Sequence, residues 1–215
     1  MRSSAEAGAA TRSAGRAWVA LSATLALGAC FAFALDATTA IDWQPSLAWS
    51  EPWRAWTAAW VHYSVLHLLA NLVGCVLVAA LGIAARVPHR SAIAWLIAWP
   101  LTQFGLLLRP DLLRYGGLSG VLHAGVAVVA VHLIVAAPSA RRLIGIGILV
   151  GIACKIGFEA PWGEALRQLP GWDIAVAPFA HISGFAAGAA AAAVAEALKA
   201  RRLTIDRNER SQEPT

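Results

Sequence analysis

A chain of 215 residues that is 59% hydrophobic and only 13% charged is not composed like a water-soluble domain, in which about a quarter of residues carry charge. Its net charge of +5 calls for no nucleic-acid partner, because the basic residues are spaced in a way that a membrane explains. Ten Trp against two Tyr suit a protein with aromatics at membrane interfaces. Cys30, Cys75 and Cys154 lie in apolar runs without metal-ligand spacing, so they read as small core residues, and neither a metal nor a cofactor is expected.

Six apolar runs follow one another, each near the roughly 20 residues that cross a bilayer as a helix. A basic tail, residues 1–16, carries Arg2, Arg12 and Arg16. The first run, about 17–35, contains Leu27-Gly28-Ala29-Cys30, which resembles the cleavage box of a lipoprotein signal peptide. Phe31-Ala32-Phe33-Ala34-Leu35 continues apolar beyond the cysteine, which favours a retained helix. The second run, 65–85, is separated from the third, 91–108, by Arg86 and Arg90. The fourth, 118–137, is separated from the fifth, 143–160, by Arg141 and Arg142. After the sixth, 175–198, a tail over 199–215 holds Lys199, Arg201, Arg202, Arg207 and Arg210. Twelve of the 17 basic residues therefore occupy alternate segments, which the positive-inside rule places in the cytoplasm. The intervening loops, 36–64, 109–117 and 159–174, are richer in acid: Asp36, Asp42, Glu51, Asp111, Glu159, Glu164 and Asp173 against Arg54, Arg109, Arg114 and Arg167. The pattern predicts an all-α polytopic protein, a bundle of six transmembrane helices over 17–198 between two cytoplasmic tails.

Polar residues inside such spans are costly and are functional candidates by default. His67 and Asn71 form an i,i+4 pair on one face near the outer end of the second span, suited either to interhelical hydrogen bonding or to donating toward a reacting group. Ser119, in Gly117-Leu118-Ser119-Gly120, could by itself be a helix cap. His181, in His181-Ile182-Ser183-Gly184-Phe185-Ala186-Ala187-Gly188, could by itself be a packing residue. Their conjunction says more. The second, fourth and sixth spans run from outside to inside, so His67, Ser119 and His181 all lie toward the outer face. A serine hydroxyl becomes a nucleophile when a base takes its proton, and His181 is that candidate base. The Ser119 backbone N–H, at a helix N-terminus, is a candidate oxyanion donor, with His67 and Asn71 as the others. Gly116, Gly117 and Gly120 allow close approach of a peptide to the serine. Gly184 and Gly188 form a small-xxx-small face suited to tight packing on Gly120 and Ala124 of the fourth span.

These residues resemble a rhomboid intramembrane serine protease: Gly-x-Ser-Gly opening the fourth span, His-x-x-Gly-x-x-x-Gly in the sixth, His-x-x-x-Asn in the second, and the loop pair Trp53-Arg54. Trp53 to Thr57, His62 to Ser64, His67 and Asn71 follow the family pattern, and the resemblance covers about residues 17–198. It implies a Ser119–His181 dyad with no required third acid, and an oxyanion hole from His67, Asn71 and the Ser119 backbone. It further implies a lateral gate and cap from the fifth span and the loop after it, with Phe158, Trp162 and Gly163 in that region. Many rhomboids have Tyr four residues after the nucleophile, stacked on the histidine; here that residue is His123. In a compact chain this resembles the rhombosortase branch, bacterial inner-membrane enzymes that process proteins with a C-terminal Gly-Gly, apolar helix and basic tail. On that resemblance His123 supports His181, the site faces the periplasm, and the partners are membrane-anchored substrates in the lipid bilayer, with no nucleic acid.

The remaining polar residues are expected to play lesser parts. His62 bonds loop backbone, Gln103 makes a bundle hydrogen bond, and His132 and His89 lie too far toward the cytoplasm to reach the site. Lys155 and Glu159 form an i,i+4 pair in the less favourable order, with Lys155 free to snorkel. A general rhomboid cutting other transmembrane proteins is the neighbouring alternative. A helix-binding protein without catalysis would lack the serine or histidine. A transporter would show an internal repeat or broken helices, and neither is evident.

Overall fold

The computed structural model describes residues 4–212; Arg2 of the basic tail and the last three residues, 213–215, lie outside the described residues. Six long helices carry the fold: α1 (Ser4–Ala34), α2 (Val65–Ala85), α3 (His89–Phe104), α4 (Ser119–Ala136), α5 (Ser139–Phe158) and α6 (Pro178–Gln212). Five of them are long and apolar enough to cross a membrane, α3 doing so together with the 3₁₀ turn Gly105–Leu108. The sixth, α5, is set apart by Arg141, Arg142 and Lys155 within its 20 residues. Helix α1 takes in most of the basic N-terminal tail, and α6 continues through the basic C-terminal one.

The helix ends follow local chemistry. Ser64 caps α2, its hydroxyl accepting from the His67 amide at 3.0 Å. Residues 175 and 176 lie outside α6, contrary to the apolar run that begins there. Pro178 opens the helix and disfavours helical geometry for the residue before it. Ala175–Val176 (β2) instead pairs antiparallel with Arg167–Gln168 (β1), in the register Arg167 opposite Val176. Among the described residues this small ribbon and an isolated bridge between Trp43 and Tyr115 depart from an all-helical chain.

Helix α4 is the axis of the bundle and touches α2, α3, α5 and α6, with Val121, Ala124, Ala127, Val128, Val129 and Ala130 fully buried. Helix α1 packs on α2 and α3. The tryptophans divide between two uses. Trp49 and Trp162 are exposed, as interfacial aromatics would be, whereas Trp18 and Trp95 are buried and meet with ring centroids 4.5 Å apart and planes inclined by 34°. Each donates its indole N–H to a carbonyl of another helix, Trp18 to Val78 and Trp95 to Val121. A buried indole N–H gains from such a partner, and these two bonds tie helices together.

Above the bundle, the segment between α1 and α2 folds around Arg54. Its guanidinium donates to the Asp42 carbonyl at 3.0 Å and to Glu51 at 2.6 Å, and lies over the Trp53 ring at 4.8 Å. Trp43 and Tyr115 exchange both backbone hydrogen bonds, which joins this segment to the loop leading into α4.

Candidate active site

Ser119 is the first residue of α4, and the chain reaches it through Gly117. Gly117 has φ of +139°, a conformation that glycine alone takes readily, and a Cβ there would lie 2.8 Å from His67 Nε2. The approach that sets Ser119 at the head of α4 thus also sets its loop against α2. The first amides of α4 lack intrahelical partners, as at any helix start.

Helix α6 delivers the imidazole. A Cβ on Gly184 would collide with the Gly120 carbonyl, and one on Gly188 with the carbonyl of Ala124. Both backbones therefore meet directly, and His181, one turn above Gly184, comes to Ser119. His181 Nε2 lies 3.0 Å from Ser119 Oγ. On its far side, His181 Nδ1 lies 2.6 Å from Glu159 Oε2. A carboxylate accepts only, so Nδ1 carries the proton and Nε2 presents a lone pair to the serine hydroxyl.

His123, one turn along α4, stacks on His181 with ring centroids 4.2 Å apart and planes inclined by 13°. Its Nδ1–H donates to the Ser119 carbonyl at 2.6 Å, which leaves Nε2 to accept from Lys155 Nζ at 2.9 Å. Lys155 also donates to Glu159 Oε1 at 2.7 Å. The i,i+4 pair is therefore present, but Lys155 turns into the site rather than snorkelling away from it.

The candidate oxyanion residues are placed in two different ways. His67 sits with Nε2 against Gly117, while its buried Nδ1 has no partner among the described residues. Asn71 is already engaged, its amide nitrogen bonding the His67 carbonyl at 3.1 Å and His62 Nε2 at 3.2 Å. His62 in turn donates Nδ1–H to the Trp60 carbonyl, and burial pushes its pKa down to about 4, so the ring is neutral.

Other residues fall outside this cluster. Trp53 and Arg54 order the outer segment, and Phe158 and Trp162 are 89% and 74% exposed beside the end of α5. Gln103 is buried, and neither of its carboxamide atoms has a partner among the described residues, which corrects the expected bundle hydrogen bond. At the other end of the bundle, His132 lies 3.1 Å from Glu196 Oε1, and both Glu196 oxygens are held by Arg90. His89 opens α3 at that end.

Two residues beside Ser119 and His181 were missed by the sequence. Glu159 reads there only as the partner of Lys155; the signal was an acid at the outer end of a span, level with Ser119. Tyr115 is buried in the loop that leads to the serine, its hydroxyl donating to the Gly117 carbonyl at 3.3 Å. Burial raises its pKa and keeps it protonated. A family profile for the rhomboid domain matches residues 50–197, most of the chain and every one of these groups.

The chain belongs to the rhomboid family. Rhomboids are intramembrane serine proteases that act on transmembrane substrates within the bilayer, and this rhomboid is a multi-pass membrane protein. No curated protein matches it in sequence. The matched region begins after α1 and ends within α6.

Proposed function

We propose that this rhomboid is a rhombosortase-type intramembrane serine protease that removes the C-terminal Gly-Gly, transmembrane and basic sorting tail of exported proteins. Ser119 is the nucleophile and His181 the base. The observation that carries the chemistry is the 3.0 Å approach of His181 Nε2 to Ser119 Oγ, on helices whose glycines leave room for nothing else. The reading of the branch rests on His123, stacked on His181 where many rhomboids have tyrosine.

In the proposed reaction, Ser119 Oγ attacks the scissile carbonyl while its proton passes to His181 Nε2. The resulting oxyanion meets the first amides of α4 and His67. Asn71 joins them by releasing one of its two present bonds. The imidazolium then protonates the leaving amine, the C–N bond breaks, and an ester on Ser119 remains. Water, deprotonated by His181, resolves that ester to a free carboxylate; an amine in place of water would give a transferred product.

The proposed setting is a bacterial inner membrane crossed six times, α5 included, with both termini cytoplasmic and the site toward the periplasm. The alternation of basic and acidic segments supports it. The protease domain is taken as 17–198 between the tails 1–16 and 199–215, and the substrate helix enters past α5, with Phe158 and Trp162 at the gate.

A fluorophosphonate probe tests the dyad. Membranes holding the wild-type chain should label and those holding Ser119→Ala should not; labelling that survives the substitution refutes the nucleophile. Co-expression with a Gly-Gly-tailed protein, followed by mass measurement of its new C-terminus, tests the branch. An intact tail beside a labelled Ser119 would leave a rhomboid with other transmembrane substrates.

A further inference from the structure

A neutral imidazole has two tautomers of similar energy, and only one leaves Nε2 free to accept the proton of Ser119. A group that can only accept, held firmly at Nδ1, selects that tautomer and later faces the imidazolium with a negative charge. Glu159 stands in that position. Its Oε2 lies 2.6 Å from His181 Nδ1, in the range of charge-assisted bonds.

Glu159 is itself held at both its side chain and its backbone. Lys155 Nζ occupies Oε1 at 2.7 Å. The Arg167 guanidinium donates to the Glu159 backbone carbonyl at 2.5 Å, and the Glu159 amide closes the last turn of α5 on Lys155 and Ile156. The side chain is partly shielded, at 17% exposure, and His181 more so, at 5%. An exposed ion pair on a flexible helix end would have neither the second partner nor the burial.

We propose that Glu159 is a positioning residue for His181, forming with it and Ser119 a three-membered chain, and that Lys155 fixes the carboxylate in place. This rests on the Ser119–His181 reading above and departs from the two-membered site that the family resemblance implies. It also gives α5 a part in the chemistry. Apart from Gly145 and Ile156, this helix buries none of its residues, so beside Ile156 its outer end is held by the Glu159–His181 contact and its polar neighbours. Displacement of that end by an incoming helix would release the His181 tautomer, and its return would restore it.

The test uses the full chain in detergent and the rate of fluorophosphonate labelling of Ser119 between pH 5 and 9. The charged or titratable groups facing His181 are Glu159 and Lys155 from α5, His123 from α4 and, more distantly, His67 from α2. Glu159→Gln should slow labelling at least ~10-fold and move the acid limb of the profile to lower pH, because the charge that favours an imidazolium is gone. Glu159→Asp, which keeps the carboxylate, should restore the position of that limb and part of the rate. An unchanged rate and limb in Glu159→Gln would overturn the proposal, as would a slowed rate with the limb unmoved in both variants, which is the mark of a structural role. Labelling retained in His181→Asn would instead overturn the dyad on which the proposal depends.

Discussion

Helices α4 and α5 are consecutive, separated by little more than Pro138, yet they are held in opposite ways. Helix α4 is gripped by packing. A Cβ on its Gly125 would lie 2.8 Å from the Trp95 ring and 2.9 Å from Val78. On α5 only the inner Gly145 is packed in that way, a Cβ there lying 2.7 Å from Leu133; Gly147, Gly151 and Gly157, farther out, have nothing within 4 Å of the same position. Beyond the buried Ile156, what holds the outer end of α5 is polar: Glu159 on His181, and Arg109 donating to the carbonyls of Pro161 and Gly163 just beyond it. Interdigitated side chains cannot separate without opening a cavity, whereas hydrogen bonds can be exchanged for bonds to water or to a peptide. The contrast divides the site into a fixed part, Ser119 and His181, and an exchangeable part, Lys155 and Glu159.

The largest effect should come from the fixed part. Ser119→Ala is expected to reduce substrate cleavage by roughly 10³-fold or more while leaving thermal unfolding in detergent unchanged, as measured on the same preparation. Next comes the seam between α4 and α6. Gly184→Val or Gly188→Val drives a side chain into backbone that cannot rotate away, so stability should fall by about 2–3 kcal/mol and the unfolding midpoint with it; an unshifted midpoint would mean the seam is not tight.

A third prediction concerns His62, which braces Asn71. Its pKa falls from 6.5 to about 4 on folding, so the unfolded chain binds the proton more readily. The stability it confers is complete above pH 6.5 and is lost as pH falls toward 4, by roughly 1.4 kcal/mol per pH unit over that window. Unfolding midpoints measured from pH 7 to 4.5 should therefore decline more steeply in the wild type than in His62→Gln. The smallest effect belongs to α5: Gly147→Ala and Gly151→Ala should be neutral or stabilise by up to ~1 kcal/mol, since the added methyl meets nothing. A marked loss there would show that α5 is packed after all, and the division would collapse.

The readable part of this molecule is the part that a bilayer makes expensive. Long apolar runs must be helices, and Ser119, His181, His67 and Asn71 stand out because hydrocarbon offers polar groups no partner. Glu159 escaped for the opposite reason. It lies at the end of a span, where acids are cheap, and four residues from a lysine that would satisfy it; its aim at His181 depends on how α5 leans against α6. Tyr115 sits in a loop where an aromatic suggests only an interface. Trp18 and Trp95 were similarly ambiguous, because sequence does not reveal whether an indole N–H will find water or the carbonyl of another helix. Gln103 remains a buried amide whose surroundings the sequence did not anticipate.

The meeting of Gly184 and Gly188 with α4 also has a consequence for how the protein is made. Ser119, Glu159 and His181 leave the ribosome in that order, on three successive helices. Until the last of these is threaded into the membrane and seated, the proposed nucleophile lacks the imidazole that faces its hydroxyl and is an ordinary alcohol. Arming the enzyme is therefore the final act of its own assembly, and nascent chains inserting alongside it meet an inert serine.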